Sequence, residues 1–150
     1  MKVLLFSAFL AVFLFTAAEG RKVKYRDCGS AKAVISHVDI SDCNSFPCKF
    51  KRGGNYSVEI GFLSNTNTKT ATVKATGIVA MVPVPYPIGN TDACSCGVKC
   101  PIIASDHNTY KYQMQIKSYF PSVKVVVKWE IKADDGSDLV CIEFPAEVTA

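Results

Sequence analysis

The chain is 150 residues long, 49% hydrophobic and 20% charged, with 17 Lys and Arg against 13 Asp and Glu for a net charge of +4. Once a leader is set aside, that length suits one domain rather than several. So mild a positive excess keeps a surface wet without calling for a nucleic-acid partner.

Residues 1–20 read as a signal peptide rather than part of the fold. Lys2 gives a positive start, residues 3–15 are an almost unbroken apolar run, and Ala17, Ala18 and Gly20 are small residues suited to cleavage after position 18 or 20. The run is short for a bilayer span. No later run approaches the roughly 18 apolar residues of a transmembrane helix; the longest, residues 77–82, is far shorter. The domain is therefore expected over residues 21–150. A secretory route is oxidising, so Cys28, Cys43, Cys48, Cys94, Cys96, Cys100 and Cys141 read as disulfide cysteines. A zinc cluster would instead want Cys or His pairs at ligand spacing, usually in a reducing compartment.

Beyond the leader, the hydrophobic period is two nearly everywhere. Val34, Ser36, Val38 and Ile40 form a weak first stripe. Arg52-Gly53-Gly54-Asn55 is a turn, and Asn55-Tyr56-Ser57 is an N-glycosylation acceptor motif. Tyr56, Val58, Ile60 and Phe62 make a clear stripe, Asn65-Thr66-Asn67-Thr68 turns the chain, and Ala71, Val73 and Ala75 follow. Pro83-Val84-Pro85-Tyr86-Pro87 is an oily, proline-studded loop where a connection should be polar. Tyr110, Tyr112, Met114 and Ile116 alternate with Lys and Gln. Val123, Val125, Val127, Trp129 and Ile131 do the same with mostly charged partners. Asp134-Asp135-Gly136-Ser137 is a hairpin turn, and Val140, Ile142, Phe144, Ala146 and Val148 complete the series. Each stripe is a strand with one dry and one wet face. Six or more such strands with short turns predict an all-β fold of antiparallel sheets packed face to face.

A standard immunoglobulin domain fits poorly, because Trp129 lies only twelve residues before Cys141 and the other cysteines fall in loops. Catalysis finds no support: there is no glycine-framed serine and no paired-histidine metal motif, and His37 and His107 have no nucleophile partner in the sequence. No catalytic residue, cofactor or metal site is expected.

Five segments together carry a family resemblance: Asp27-Cys28-Gly29-Ser30; the short loop between Cys43 and Cys48; Val82-Pro83-Val84-Pro85-Tyr86-Pro87-Ile88 followed by a cysteine loop ending Cys100-Pro101-Ile102; the run from Phe120-Pro121-Ser122 to Lys128-Trp129-Glu130; and Val140-Cys141-Ile142-Glu143. The chain closely resembles the ML lipid-recognition family over essentially all of its mature part. The resemblance implies an immunoglobulin-like β-sandwich with a hydrophobic ligand cavity between two antiparallel sheets. It implies disulfides Cys28–Cys141, Cys43–Cys48 and Cys94–Cys100, the first closing a loop of over a hundred residues. Cys96 departs from that six-cysteine scheme: either it is a free thiol or it competes with Cys94 for Cys100.

The resemblance also nominates ligand-lining residues: Tyr86 first, then Ile116 and Phe120, then Tyr56, Val58, Val84, Val125, Val127 and Trp129. Phe120 stands where the family usually has tyrosine. Ile142, a further lining position, departs from a frequent tryptophan, which changes the pocket's shape. The implied function is a secreted or lysosomal carrier that binds a sterol and transfers it to an acidic membrane surface or a late-endosomal sterol transporter, working as a monomer. Lys51, Arg52, Lys99, Lys117 and Lys124 are placed to meet an anionic membrane. The alternatives are an extracellular carrier of fatty acids or small hydrophobic signals, and an adaptor that presents lipid to a receptor. Periodicity by itself does not separate a lined cavity from a packed core.

Overall fold

A computed structural model describes residues 24–150. The signal peptide expected over residues 1–20 lies outside the described residues. Nine strands follow in order: β1 (Arg26–Asp27), β2 (Ala33–Ile40), β3 (Cys48–Lys51), β4 (Asn55–Ser64), β5 (Thr72–Val79), β6 (Val82–Pro85), β7 (His107–Gln115), β8 (Lys124–Lys132) and β9 (Asp138–Thr149). Among the described residues a single 3₁₀ turn, Ala93–Ser95, is capped by the Asp92 carboxylate, which accepts from the Cys94 N–H. One sheet has the order β1-β9-β8-β5-β6, with β3 added parallel to β9; the other is β2-β4-β7. All other pairings are antiparallel, so the fold is the two-sheet β-sandwich.

The dry stripes of the two sheets meet. Val58, Ile60 and Phe62 from β4 and Tyr110 from β7 face Trp129, Ile131, Ile142 and Phe144 from β8 and β9, all essentially inaccessible to solvent. Glu130 is also buried, on the other face of β8, where Lys128 and Lys132 ammonium groups stand 3.8 and 3.5 Å from its carboxylate.

Two expectations change. On β2 the outward residues are Val34 and Ser36, and the inward ones begin with Ala33 and resume at Val38 and Ile40. A register shift between Ile35 and His37 inserts one extra residue, which moves the pleat from one phase to the other. Val34, 58% exposed, therefore leaves the predicted stripe. The oily proline segment is not simply a loop. Val82–Pro85 pairs with β5, Gly77 opposite Val84 and Ile78 opposite Pro83. It is the last strand of its sheet, where proline's missing N–H costs no ladder bond and blocks further pairing.

The disulfides are Cys28–Cys141, Cys43–Cys48 and Cys94–Cys100, with Cys96 left as a half-buried thiol. The first ties the N-terminal segment to β9, where the Cys28 N–H also donates to the Cys141 carbonyl at 2.9 Å.

Candidate functional site

Midway along β5 the inward residues become small. Ala75 stands opposite Trp129 and Gly77 opposite Val127, so the sheet face recedes where its neighbour carries bulk. A Cβ built at Gly77 would lie 3.1 Å from Val125 Cγ2. The space this leaves is part of a cavity of about 340 Å³ between the sheets, within the range of small-molecule sites. Val84 and Pro85 of β6 and Val125, Val127 and Trp129 of β8 form one wall, and Met114 and Ile116 at the end of β7 the other. Phe50 of β3 and Val148 of β9 contribute from behind, and Tyr86, Pro87, Phe120 and Pro121 complete the rim. Val125 and Val127 sit on the inward face of a central strand yet are only half-buried, because they face this space.

The exposed members of the wall, Val84, Pro85, Pro87 and Pro121, mark the side open to solvent. There the Tyr86 and Phe120 rings meet edge to face, centroids 6.1 Å apart, and Tyr119 packs edge-on behind Phe120 at 5.2 Å. The Tyr86 hydroxyl donates to the Gln115 carbonyl of β7 at 2.6 Å, bridging from the edge of one sheet to the other. Burial, with lesser contributions from neighbouring tyrosines, pushes this phenol up to about 12. Arg52 Nη1 donates to the Phe120 carbonyl at 3.4 Å and steadies the opposite corner. Trp129 lines the wall from the buried core, where its ring packs against Tyr110, centroids 6.2 Å apart. No histidine, acid or cysteine lines the cavity, so the site offers contact and shape rather than a nucleophile or a base.

Seven of the residues nominated from the sequence reach this wall: Tyr86, Ile116, Phe120, Val84, Val125, Val127 and Trp129. Three do not. The Tyr56 ring packs against Phe50 at 4.6 Å, and its hydroxyl accepts from the Lys51 N–H at 2.7 Å, so it stands behind Phe50. Val58 and Ile142 are wholly enclosed in the solid part of the core, Val58 paired across the sheet with Tyr112 and Ile142 with Trp129. The wall residues missed from the sequence are chiefly Ala75, Gly77, Phe50 and Met114. Small residues facing bulky ones on neighbouring strands would have been the signal for the first two. Among the nominated cations, Arg52 and Lys117 flank the Phe120 corner, whereas Lys99 lies in the cysteine loop. Asn55, the glycosylation candidate, is exposed at the start of β4.

The family model described as the ML domain matches residues 22–148. The chain belongs to the ML-domain family. Among ML-domain relatives, the NPC intracellular cholesterol transporter 2 of Bos taurus is 41% identical over 143 residues, covering 95% of this chain and 96% of the relative. The protein of the same name from Danio rerio is 37% identical, covering 93% and 92%. A solved ML-domain structure, a Niemann-Pick type C2 protein from Japanese carpenter ant, superimposes with a TM-score of 0.80 at 27% identity, covering 85% of this chain and all of that one. Chicken MD-1 complexed with lipid IVa shares the fold alone, with a TM-score of 0.57 at 12% identity over 82% of this chain and 86% of that one.

Proposed function

We propose that this ML-domain protein is a sterol carrier: it encloses one cholesterol-like molecule between its sheets and passes it to a membrane or a membrane-bound sterol transporter. The observation that carries the reading is the apolar cavity open beside Tyr86 and Phe120, in a chain 41% identical to a cholesterol transporter along nearly its whole length. A ligand hiding about 400–500 Å² of apolar surface gains roughly 10–12 kcal/mol at about 25 cal/mol per Å². Association consumes several kcal/mol of that, leaving about micromolar to nanomolar affinity. That is tight enough to hold an insoluble lipid and weak enough to release it.

The secretory leader read at residues 1–20 and the three disulfides support passage through an oxidising route to the cell exterior or the lumen of late endosomes and lysosomes. Arg52 and Lys117, beside the Phe120 corner, are placed to meet an anionic membrane when the cavity faces it. The seven nominated wall residues, with Ala75, Gly77, Phe50 and Met114, are the ligand contacts, and the protein acts as a monomer without catalysis. Titration of the purified protein with a fluorescent sterol, followed by cholesterol competition, tests the reading. One displaceable site per chain supports it; absence of any displaceable sterol signal removes it.

A further inference from the structure

The outer face of the three-stranded sheet, opposite to the one that faces the core, carries a second constellation. His37 and Asp39 sit two apart on β2, and Glu59 on β4 is the cross-strand partner of Asp39. Each offers one ligand atom, all within 4.8 Å of one another. His37 Nε2 lies 3.4 Å from Glu59 Oε2. A tetrahedral metal with bonds of about 2.0–2.1 Å has donor–donor edges of about 3.3–3.4 Å, so this pair already stands at the required separation. The other ring nitrogen, Nδ1, is 3.2 Å from the Ser36 hydroxyl. Such a contact orients an imidazole and leaves Nε2 to point at a metal.

Two backbone features shape this corner. The irregularity that re-phases β2 falls between Ile35 and His37, and bulges commonly re-aim a side chain. Across the ladder from His37 is Gly61, where an added Cβ would fall 2.2 Å from His37 Cε1, 2.3 Å from Nδ1 and 2.6 Å from Ser36 Oγ. Only glycine lets the imidazole lie against β4 and reach Glu59. Glycine within a strand marks such a close approach.

We propose that His37, Asp39 and Glu59 form a surface site for a first-row transition metal of the zinc type. An imidazole among the donors favours such metals over magnesium or calcium. Two carboxylates balance a divalent charge, and three protein ligands leave a fourth position for water or for a donor on another molecule. The Lys111 ammonium lies 3.3 Å from Glu59 Oε1, the oxygen that the imidazole does not meet, and its side chain is 69% exposed, free to swing away as the metal enters. A neighbouring depression bordered by Asp39, Glu59 and Lys111 gives the ion an open path.

The test is calorimetric titration of the untagged, disulfide-intact protein with Zn²⁺, with Co²⁺ as an optical probe. One equivalent should bind, and tetrahedral Co²⁺ bands should appear. His37→Gln and Asp39→Asn should each weaken binding by about tenfold or more, while His107→Gln and Cys96→Ser leave it unchanged. In the unmutated protein, whose only histidines are His37 and His107, the His37 ring protons should shift with Zn²⁺ in proton NMR and those of His107 should not. No stoichiometric binding, full affinity in His37→Gln, or an unmoved His37 resonance would each overturn the proposal.

Discussion

The Tyr86 hydroxyl donates to the Gln115 carbonyl at 2.6 Å across the gap between the sheets. Tyr86 extends from β6 at the edge of one sheet, and Gln115 ends β7 at the edge of the other. This bond holds the cavity's open side, and parting the sheets to admit a ligand must stretch or break it. Tyr86→Phe keeps the ring against Phe120 but removes the bond. Sterol affinity should change little while exchange between protein and vesicles quickens, which stopped-flow transfer of a fluorescent sterol measures. Unchanged exchange would show that entry does not involve this bond.

The aromatic rim supplies contact area. Phe120→Ala should weaken sterol binding by about 10- to 100-fold, the equivalent of about 1.5–3 kcal/mol of lost apolar contact. Fluorescence titration with a circular-dichroism check of folding measures it. Val58→Ala, in the solid core, should instead lower thermal stability more than it weakens binding.

Gly77 keeps volume in the cavity. Gly77→Val adds branched bulk where a Cβ alone already stands 3.1 Å from Val125 Cγ2; it should lower sterol affinity about tenfold or more, with a smaller loss of stability because Val125 must shift to make room. Paired melting curves and binding isotherms separate the two effects. Retained affinity would mean that the ligand does not occupy the β5 side of the cavity.

Alkaline pH acts through Tyr86. Its folded-state value is raised, chiefly by burial, to about 12, above the usual value of about 10 for an unfolded chain. A raised value favours the neutral phenol in the fold. Its stabilising contribution is therefore complete below about pH 10 and is lost as pH rises towards about 12. Urea melts across that window should show a stability loss that shrinks in Tyr86→Phe. Burial pushes Tyr110 up as well, and that residue accounts for part of the remaining fall.

Acid acts oppositely through Asp134. Its carboxylate accepts from the Thr70 hydroxyl and from the Lys69 and Thr70 N–H groups, which holds its value below the usual range. The contribution is present above the unfolded value near about 4 and is lost only as pH falls through the depressed folded value. Asp134→Asn should therefore be destabilising at pH 5 and at pH 7 alike, and the difference from the unmutated protein should shrink only in stronger acid, as pH-dependent melts report.

Six strands were legible in the sequence because each has one dry and one wet face. Tyr56 to Phe62 and Val123 to Ile131 declare themselves by alternation alone. The four-residue β3 alternates too, with Cys48 and Phe50 buried and Lys49 and Lys51 exposed, but is too short to stand out. β6 looked like a loop because prolines hide an edge strand. The bulge in β2 shifts a phase that a fixed period of two cannot follow. The cavity was invisible to periodicity, since a wall and a packed core use the same residues. Its position depends on Ala75 and Gly77 falling opposite Trp129 and Val127, a register written on two distant segments. The same holds for His37 and Glu59, far apart in sequence and joined only by strand pairing.

The central claim is sterol carriage, and the direct measurement is the lipid content of the protein as secreted. Organic extraction of the purified protein followed by mass spectrometry should find sterol at close to one per chain, displaced by added cholesterol. Fatty acids alone, or no lipid, together with no displacement of a bound fluorescent sterol, would contradict it.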